Sequence, residues 1–422
     1  MDWQSVGFVA GATLLGLAGL QALGAAYVGR RRMRSARASC AERQQAFNRQ
    51  LKTKLQWALA AKPIFKAWSG TRRFKVAAVV DEALDCKSFY LVPSDGHPLP
   101  RFEPGQFLTF NLPTNPRQKP LVRCYSLSDR PREDYYRVTI KRARPPAGNL
   151  HLPPGIGSNF FHERVQAETT LEVQAPQGAF FLDPTDDAPV VLIGAGVGIT
   201  PLVSMASTIA HDGRGRTAYF FGGFGNSREH PFRQYMAELD AEIDHLHFDI
   251  SYSRPMPSDQ VGREYQNRGY VDVGRLKQVL PSNNFRFYIC GPTGMMQTLV
   301  PALRTWGVPE SHIHYEAFGP ATVKGMKQTR TSADIEAGPC QVEFLLANAC
   351  LAWDDGHESL LEFAESQGVA LDYGCRAGNC GQCLVSVKAG SVEHVKEPGL
   401  HLDKNQCLTC IGIPRGNVVL EA

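Results

Sequence analysis

The sequence predicts a multidomain protein of β and α/β class behind an N-terminal transmembrane helix. Short alternating strands broken by Pro and Gly run from residue 72 to 183 and predict an antiparallel barrel or sandwich. From Asp187 onward, strands alternate with helices, which indicates a parallel α/β sheet. A third, mixed α/β unit contains a cysteine cluster. The predicted segments are an anchor (1–32), an amphipathic helical linker (33–70), a β-domain (71–184), an α/β domain (185–321), a linker (322–338) and a C-terminal domain (339–422).

The composition is that of an ordered globular protein with one metal site. Hydrophobic residues make up 43% of the 422 residues and charged residues 20%, which excludes a disordered chain. The net charge of +4 is small, and several arginines gather between residues 30 and 37, so the rest lacks the basic stripe of a nucleic-acid surface. The 11 cysteines are odd in number, and five of them form a single cluster in the last 48 residues while the others are scattered, which indicates a reducing compartment with one metal site.

Residues 5–29 carry no charge and are predicted to cross a membrane, since about 20 apolar residues suffice as a helix. Asp2 precedes this segment and arginines follow it, so we expect no cleaved signal peptide and a cytoplasmic location for the remaining chain. The protein would then be a single-pass protein of the cell membrane. A buried core helix is the alternative. Trp57, Phe65 and Trp68 could lie in the lipid interface or pack on the next domain.

Two motifs in the β-domain offer groups for a phosphorylated aromatic ligand. "RCYSLSD" (123–129) supplies a guanidinium, an aromatic ring and a hydroxyl, and on a strand Arg123 and Tyr125 lie on one face with Ser126 on the other. "GIGSNFFH" (155–162) is a glycine turn that leads into a helix.

The α/β domain contains a second glycine turn, "GAGVGITP" (194–201), between an apolar strand and a helix. Glycines let the backbone approach a phosphate, and the helix N-terminus supplies amide donors. The spacing is not G-x-G-x-x-G, and a purely structural turn is the alternative. "CGPTGMM" (290–296) follows a later strand, at the edge where open α/β sheets bind ligands.

These motifs, with "VTIKR", "PVVLIGAGVGITPL" and "HYEAFGP", occur in an order that resembles the ferredoxin–NADP reductase family, and most closely the reductase portion of flavohaemoglobins. The resemblance covers about residues 72–320 and implies an FAD-binding β-barrel, with FMN as the alternative, followed by an NAD(P)-binding domain. Ser126, Cys290 and Glu316 would take part in catalysis. The implied flavin-binding residues are Arg123, Tyr125, Ser126, Lys141, Gly157, Ser158, Asn159 and Phe318. The implied nicotinamide-dinucleotide residues are Gly194, Gly196, Gly198, Thr200, Pro201, Gly291 and Pro292 beside Cys290. Lys141 could instead lie on a solvated face, and Phe318 in the core.

The choice between NADH and NADPH depends on the loop after "AYFFGG". Ser227 and Arg228 could hold the 2′-phosphate of NADPH, although exposed loop arginines are common. Flavohaemoglobin-like reductases use NADH, and the resemblance therefore favours NADH slightly.

Cys375, Cys380 and Cys383 follow the C-x4-C-x2-C spacing of plant-type [2Fe–2S] proteins. The neighbouring glycines would leave amides open to hydrogen-bond the cluster sulfurs. Zinc is the alternative, because Cys380, Cys383, Cys407 and Cys410 could form a tetrahedral site. The C-terminal domain resembles a plant-type ferredoxin throughout, which implies a β-grasp fold and Cys410 as the fourth ligand.

Together these parts predict an NAD(P)H-dependent oxidoreductase that passes electrons through FAD and [2Fe–2S] to a separate protein acceptor, such as an oxygenase, desaturase, cytochrome or cluster protein near a membrane. The flavin would convert a two-electron hydride into single electrons. The first alternative is a non-enzymatic metal-binding sensor with a vestigial reductase. The second is an enzyme that itself reduces oxygen or quinone.

Overall fold

The computed structural model describes residues 68–422 except 116, 118–119, 146–152, 319–339, 355, 397 and 401. Lys66–Ala422 forms one compact unit. The predicted anchor (1–32), nearly all of the helical linker (33–70) and the linker at 322–338 lie outside the described residues. Trp68 is described, and it packs on the β-domain: its ring contacts Phe74 and its Nε1 donates to the Val173 carbonyl at 3.1 Å.

The first domain is a six-stranded antiparallel sheet in the order β4-β3-β6-β1-β2-β5. An antiparallel bridge between Leu127 and Val138 joins the two outer strands and closes the sheet into the predicted barrel. Apolar side chains such as Phe89, Phe110 and Phe161 fill its interior. The strands are Thr71–Ala83 (β1), Cys86–Pro93 (β2), Phe107–Leu112 (β3), Leu121–Ser126 (β4), Tyr136–Lys141 (β5) and Thr170–Gln174 (β6), and helix α1 (Ile156–Arg164) precedes β6.

The second domain is a six-stranded sheet that is parallel, as predicted, and its strand order is β10-β9-β8-β7-β11-β12. The central strand β7 is almost wholly buried, which explains its continuous apolar sequence. The strands are Val190–Ala195 (β7), Ala218–Phe224 (β8), Leu246–Tyr252 (β9), Asn267–Arg268 (β10), Arg286–Gly291 (β11) and Ile313–Ala317 (β12). The helices are Ile199–His211 (α2), Arg233–Glu242 (α3), Val273–Val279 (α4) and Thr293–Thr305 (α5).

The strand order reverses between β7 and β11. In open parallel sheets, ligands bind at the carboxyl ends of the strands at such a switch point. The turn that follows β7 (Gly196–Gly198) and the residues that follow β11 therefore flank the expected ligand position.

The third domain contains a five-stranded mixed sheet in the order β14-β13-β19-β15-β17 and a separate pair, β16-β18. Helix α6 (Leu360–Ser366) begins at a Ser359 cap, whose hydroxyl accepts from the Glu362 amide at 3.2 Å. The strands are Gln341–Phe344 (β13), Ala349–Ala352 (β14), Leu384–Ala389 (β15), Val392–His394 (β16), Gln406–Leu408 (β17), Gly412–Pro414 (β18) and Val418–Leu420 (β19).

The predicted localisation as a single-pass membrane protein is wrong. In the part of the chain that the structure describes, no helix is both long and apolar enough to cross a bilayer. Helices α2 and α5 have 13 residues each, against the roughly 20 that a span needs.

Candidate functional site

A cavity of about 590 Å³ lies where the three domains meet. One wall is strand β4 of the barrel with Lys141, and a second is formed by Thr200, Glu316 and Phe318 of the α/β domain. The third wall is the cysteine loop of the C-terminal domain, including Cys375, Arg376 and Asn379. The volume is within the range of cofactor pockets. A ligand in this cavity would contact all three domains at once.

The barrel wall places two predicted flavin residues against helix α1. A Cβ on Gly157 would lie 2.8 Å from Cγ of Arg123 and 3.0 Å from the Tyr125 hydroxyl oxygen. Arg123 and Tyr125 therefore share one side of β4, as the strand geometry predicted. Tyr125 packs edge-on against Phe110 and Phe161, and burial raises the pKa of its hydroxyl well above its usual value. Ser126 is buried and also lines the cavity.

The side chains of Ser158 and Asn159 are used elsewhere. The Ser158 hydroxyl accepts from the Ala143 amide at 3.0 Å, and Nδ2 of Asn159 donates to the carbonyls of Ala143 and Gly155. Both side chains fasten the loop before α1, and neither lines the cavity. Their contact with a flavin diphosphate stays a prediction, and it would be made by their backbone atoms. Lys141 is exposed at the end of β5, at the rim of the cavity.

Three predicted residues of the nucleotide domain lie side by side at the switch point. Cys290 of β11 pairs with Gly194 of β7 on one side and with Glu316 of β12 on the other. Gly198 has no room for a side chain, because a Cβ there would lie 2.5 Å from the Cys290 carbonyl oxygen. Gly196 has a φ of +56°, which favours glycine. The glycine turn thus packs directly on the strand that ends in Cys290.

Cys290 is fully buried in the apolar core of the sheet, and Pro201 is buried in α2. Burial raises the pKa of the Cys290 thiol well above its usual value, so the thiol is neutral. Gly291 packs on Met295, and Pro292 is exposed beside it. The predicted role of Cys290 beside a nicotinamide stays a prediction, because its side chain does not line the cavity.

Glu316 is a buried carboxyl between the nucleotide domain and the cysteine loop. Burial raises its pKa to about 8. Its Oε1 accepts from Nδ2 of Asn379 at 3.2 Å, and Oδ1 of Asn379 accepts from Nζ of Lys396 at 3.2 Å. Among the described residues, Oε2 of Glu316 has no hydrogen-bond partner. The carboxyl thus retains a hydrogen-bonding position for a bound group.

Ser227 and Arg228 lie away from this cavity, in a short turn that lines a separate space of about 710 Å³. A carboxylate adjoins the turn: Oδ2 of Asp259 accepts from the Ser227 amide at 3.2 Å and from the Met256 amide at 2.9 Å. A carboxylate therefore contacts the backbone of the turn where the sequence suggested a 2′-phosphate.

The four predicted cluster ligands form two pairs. The sulfurs of Cys383 and Cys410 are 3.1 Å apart. The Cys375 amide donates to Sγ of Cys380 at 3.2 Å, and the two thiols interact. No group of three or more metal-ligand side chains for a single ion occurs among the described residues. Two pairs of sulfurs match a cluster with two irons, each held by two cysteines.

Backbone amides of the loop point at these sulfurs. Ala377 and Asn379 donate to Sγ of Cys375 at 3.4 and 3.3 Å, and Gly378 donates to Sγ of Cys410 at 3.3 Å. Gly378 has a φ of +71°, and a Cβ there would lie 2.4 Å from Cδ1 of Ile411. The loop supplies the donors that stabilise charge on iron-bound sulfur, so its residues fit a [2Fe–2S] cluster.

The zinc alternative required Cys407, which is fully buried in the apolar core of the C-terminal domain. Cys407 lies among the apolar side chains of a core cluster other than the one that contains Cys383 and Cys410, and burial raises the pKa of its thiol. These surroundings are those of a packing residue.

Sequence reasoning missed Cys124, which lies between Arg123 and Tyr125. Its thiol lies next to the sulfurs of Cys375 and Cys380 across the domain boundary, and these neighbours raise its own pKa well above the usual value. Cys124 is in turn the main cause that lowers the pKa of Cys375. One signal was available: side chains alternate along strand β4, so Cys124 lies on the opposite face from Arg123.

Comparison with known proteins identifies both halves of this site. The family model described as "Oxidoreductase NAD-binding domain" matches residues 192–300, and "2Fe-2S iron-sulfur cluster binding domain" matches residues 348–415. A flavohemoprotein of Halalkalibacterium halodurans is 37% identical over 254 residues, which are 60% of this chain and 61% of that protein. The chain thus spans about three fifths of the length of the curated relatives that it matches.

Solved structures extend the likeness. The flavohem-like FAD/NAD-binding domain of nitric oxide dioxygenase from Vibrio cholerae is 31% identical, with a TM-score of 0.53, and the match covers all of that domain and 60% of this chain. Phthalate dioxygenase reductase is 24% identical with a TM-score of 0.50 over 84% of this chain and 98% of that one, which shows a shared fold.

Proposed function

This chain belongs to the ferredoxin–NADP reductase family and carries a C-terminal [2Fe–2S] ferredoxin domain, and we propose that it passes electrons from NADH through FAD and the cluster to a separate protein acceptor. When bound, the flavin converts the electron pair of a hydride into single electrons, and the cluster carries them one at a time. The observation that carries the proposal is that cluster ligand Cys375 and the flavin-domain residue Tyr125 line the same cavity. Donor and acceptor groups held there need no further carrier.

The barrel residues hold and orient the flavin. Arg123 takes a phosphate beside the N-terminus of α1, where the amides of the first turn are not used by the helix itself. Tyr125 would hold the isoalloxazine ring, and Ser126 would orient it, since both residues line the cavity. The closeness of Arg123 and Tyr125 to Gly157 supports this arrangement, because the lack of a side chain at Gly157 lets both residues approach the start of α1.

The switch point of the parallel sheet receives the dinucleotide. Gly196 and Gly198 bring backbone amides to its pyrophosphate at the start of α2, and Thr200 continues this surface into the flavin cavity. Glu316 has an unpartnered oxygen and faces the cavity, where it can accept or donate a hydrogen bond to the bound ring system. Phe318 covers the same cavity from its open side, and at 38% exposure it is not a core residue.

NADH is the preferred donor. The Asp259 carboxylate already binds the Ser227 amide, and it would repel the 2′-phosphate of NADPH. A ribose hydroxyl could instead donate to such a carboxylate, as acidic residues do in NAD sites.

The acceptor is a separate redox protein, such as an oxygenase component. The shared fold and domain order of phthalate dioxygenase reductase, described as a modular structure for electron transfer from pyridine nucleotides to [2Fe–2S], agree with this proposal. Nitric oxide dioxygenation is not part of it, because the chain matches only about three fifths of the flavohemoproteins.

The test separates the flavin from the cluster. Replacing Cys380 by Ser should remove iron and abolish reduction of cytochrome c, yet leave NADH-dependent reduction of ferricyanide at the flavin intact. The matched control is Cys407→Ser, which removes a packing thiol from the same domain and should keep both activities. Equal loss of both activities in Cys380→Ser would contradict the proposed electron order.

The same protein preparation also tests the two alternative functions. A colourless protein with stoichiometric zinc would support the sensor hypothesis and overturn the proposal. NADH consumption that needs no added acceptor, and that persists in Cys380→Ser, would support direct reduction of oxygen or quinone.

A further inference from the structure

Strand β4 of the barrel touches the cluster loop directly. A Cβ on Gly374 would lie 2.8 Å from Sγ of Cys380 and 3.2 Å from Cγ1 of Val122. The loop and the strand are therefore in close contact, with Gly374 between them. Cys124 is two positions after Val122 and hence on the same face of β4. It lines the same cavity as Cys375, and its thiol lies next to the sulfurs of Cys375 and Cys380.

The direction of the hydrogen bonds at Cys124 follows from the chemistry of its neighbours. Nε2 of Gln177 donates to Oγ1 of Thr109 at 3.0 Å, because an amide nitrogen can only donate. The Thr109 hydroxyl lies 3.4 Å from Sγ of Cys124 and has its own proton to give to that sulfur. On the other side, iron-bound thiolates carry no proton and can only accept. The proton in the contact between Cys124 and the cluster sulfurs must therefore come from Cys124.

We propose that Cys124 is a positioning residue that donates an S–H hydrogen bond from the flavin domain to the Cys375 and Cys380 sulfurs and thereby raises the reduction potential of the cluster. The inference rests on the proposed function. Reduction adds one electron, and hence one negative charge, to the cluster and breaks no bond. A donor aimed at the ligand sulfurs stabilises the reduced form more than the oxidised form.

The donor and the acceptor sulfurs lie in different domains, which couples redox state to domain contact. If docking of the ferredoxin domain on the barrel favours the reduced cluster by some factor, reduction must favour docking by the same factor. The reductase would hold its ferredoxin domain more tightly when the cluster carries an electron.

The test is a spectroelectrochemical titration of the holoprotein, with the EPR spectrum of the reduced cluster as a second readout. Cys124→Ala should lower the equilibrium constant for one-electron reduction of the cluster about tenfold, which corresponds to about 59 mV. Cys124→Ser keeps a donor and should shift the reduction potential of the cluster less than Cys124→Ala does. Thr109→Val removes the hydroxyl beside Cys124 and should also shift the potential less than Cys124→Ala does. The control Cys86→Ala removes a buried thiol from β2 of the same barrel and should leave the potential unchanged.

An unchanged potential and EPR spectrum in a Cys124→Ala protein with full iron and flavin content would overturn the inference. So would a rise in potential, which entry of water beside the cluster would produce. If Cys124→Ala fails to retain its cofactors, Cys124→Ser and Thr109→Val decide, and no shift in either would overturn the inference. Wild-type protein without flavin or cluster would instead contradict the proposed function itself.

Discussion

Glu316 combines deep burial with contacts to two domains. Its carboxyl is 6% exposed at the end of β12, yet it accepts from Asn379 of the cluster loop. Burial is the main cause of its raised pKa, and Lys396 offsets part of that effect. At neutral pH the side chain is therefore largely protonated in the folded protein, whereas in an unfolded chain it would be ionised.

This difference predicts a pH dependence of stability. Between the ordinary value of 4.5 and about 8, the folded protein binds more protons at Glu316 than the unfolded chain does, so stability should fall as pH rises through this window. From pH 6 to 9 the loss is on the order of 3 kcal/mol, at about 1.4 kcal/mol per pKa unit. Glu316→Gln should remove it, so that the variant gains thermal stability relative to wild type at pH 9 but not at pH 5. We would measure thermal unfolding of both holoproteins across this range.

The matched control is Glu310→Gln. Glu310 pairs with Arg304 on the surface, and that pair lowers its pKa, so its replacement should give no relative gain at high pH. The same pH profile in wild type and Glu316→Gln would contradict the assignment of a buried, protonated carboxyl.

Asp259 predicts the nucleotide preference. Replacing it by Asn keeps a side-chain oxygen for the Ser227 and Met256 amides but removes the charge that would repel a 2′-phosphate. We expect kcat/KM for NADPH to rise roughly tenfold relative to NADH, measured with ferricyanide as acceptor. The control Glu242→Gln removes an exposed charge from α3 of the same domain and should leave kcat/KM for both nucleotides unchanged. A parallel change for both nucleotides would contradict this role of Asp259.

At the residue scale, local motifs predicted some of the site and missed the contacts between domains. Cysteine spacing predicted three ligand positions and the ferredoxin resemblance the fourth, and the structure gathers these four cysteines into two pairs. Strand alternation predicted that Arg123 and Tyr125 share a face. Asn379, Lys396 and Cys124 were missed, because Asn379 and Lys396 approach Glu316, and Cys124 approaches the cluster loop, only through tertiary packing. The predicted contact of Ser158 and Asn159 with a flavin diphosphate stays a prediction.

The turn between β7 and α2 depends on a close approach of two elements. Gly198 lies against the backbone of Cys290 and Gly291, and a Cβ there would be only 2.5 Å from the Cys290 carbonyl oxygen and 2.7 Å from Cα of Gly291. Backbone atoms cannot move aside as a flexible side chain can. Any side chain at Gly198 should therefore push the turn away from β11 and displace the amides that face the switch point.

Gly198→Ala should lower the melting temperature and raise the KM for NADH by at least about tenfold, since about 1.4 kcal/mol of binding free energy suffices for that change. Gly294→Ala is the matched control: it lies in the first turn of α5 after β11, and a Cβ there meets nothing within 4 Å. Alanine at that position should be neutral or slightly stabilising. Steady-state kinetics and thermal unfolding of both variants would decide, and equal behaviour would refute the close packing of the turn.

At the element scale, hydrophobic periodicity was an adequate guide to the sheets. The alternating strands form the closed barrel, and the buried apolar strands form the parallel sheet, because each pattern matches the faces that its sheet buries. The predicted membrane localisation is wrong: no helix of the described residues is long and apolar enough to cross a bilayer. How the strands are ordered, and hence the switch point, was not readable from any single segment.

At the scale of the whole molecule, the reductase and ferredoxin domains meet through a chain of polar contacts next to the cavity. Lys396 donates to Asn379, which donates to Glu316, so three elements from two domains share two hydrogen bonds. Lys396 is half-buried, and burial lowers the pKa of its amine. The loop that carries Cys375 and Cys380 is thereby held in place against the nucleotide domain.

Lys396→Met should loosen this contact without removing a cluster ligand. Loss of one hydrogen bond, worth roughly 1 kcal/mol, should reduce the docked population and slow electron transfer from flavin to cluster about fivefold in stopped-flow measurements. Iron content and ferricyanide reduction should stay at wild-type values, and hydrogen exchange should increase in the loop around Asn379. The control Lys388→Met breaks a surface pair with Glu421 in the same domain and should leave the transfer rate unchanged. If Lys396→Met transfers electrons at the wild-type rate while its loop exchanges faster, docking through Asn379 does not limit the transfer, and the contact serves stability alone.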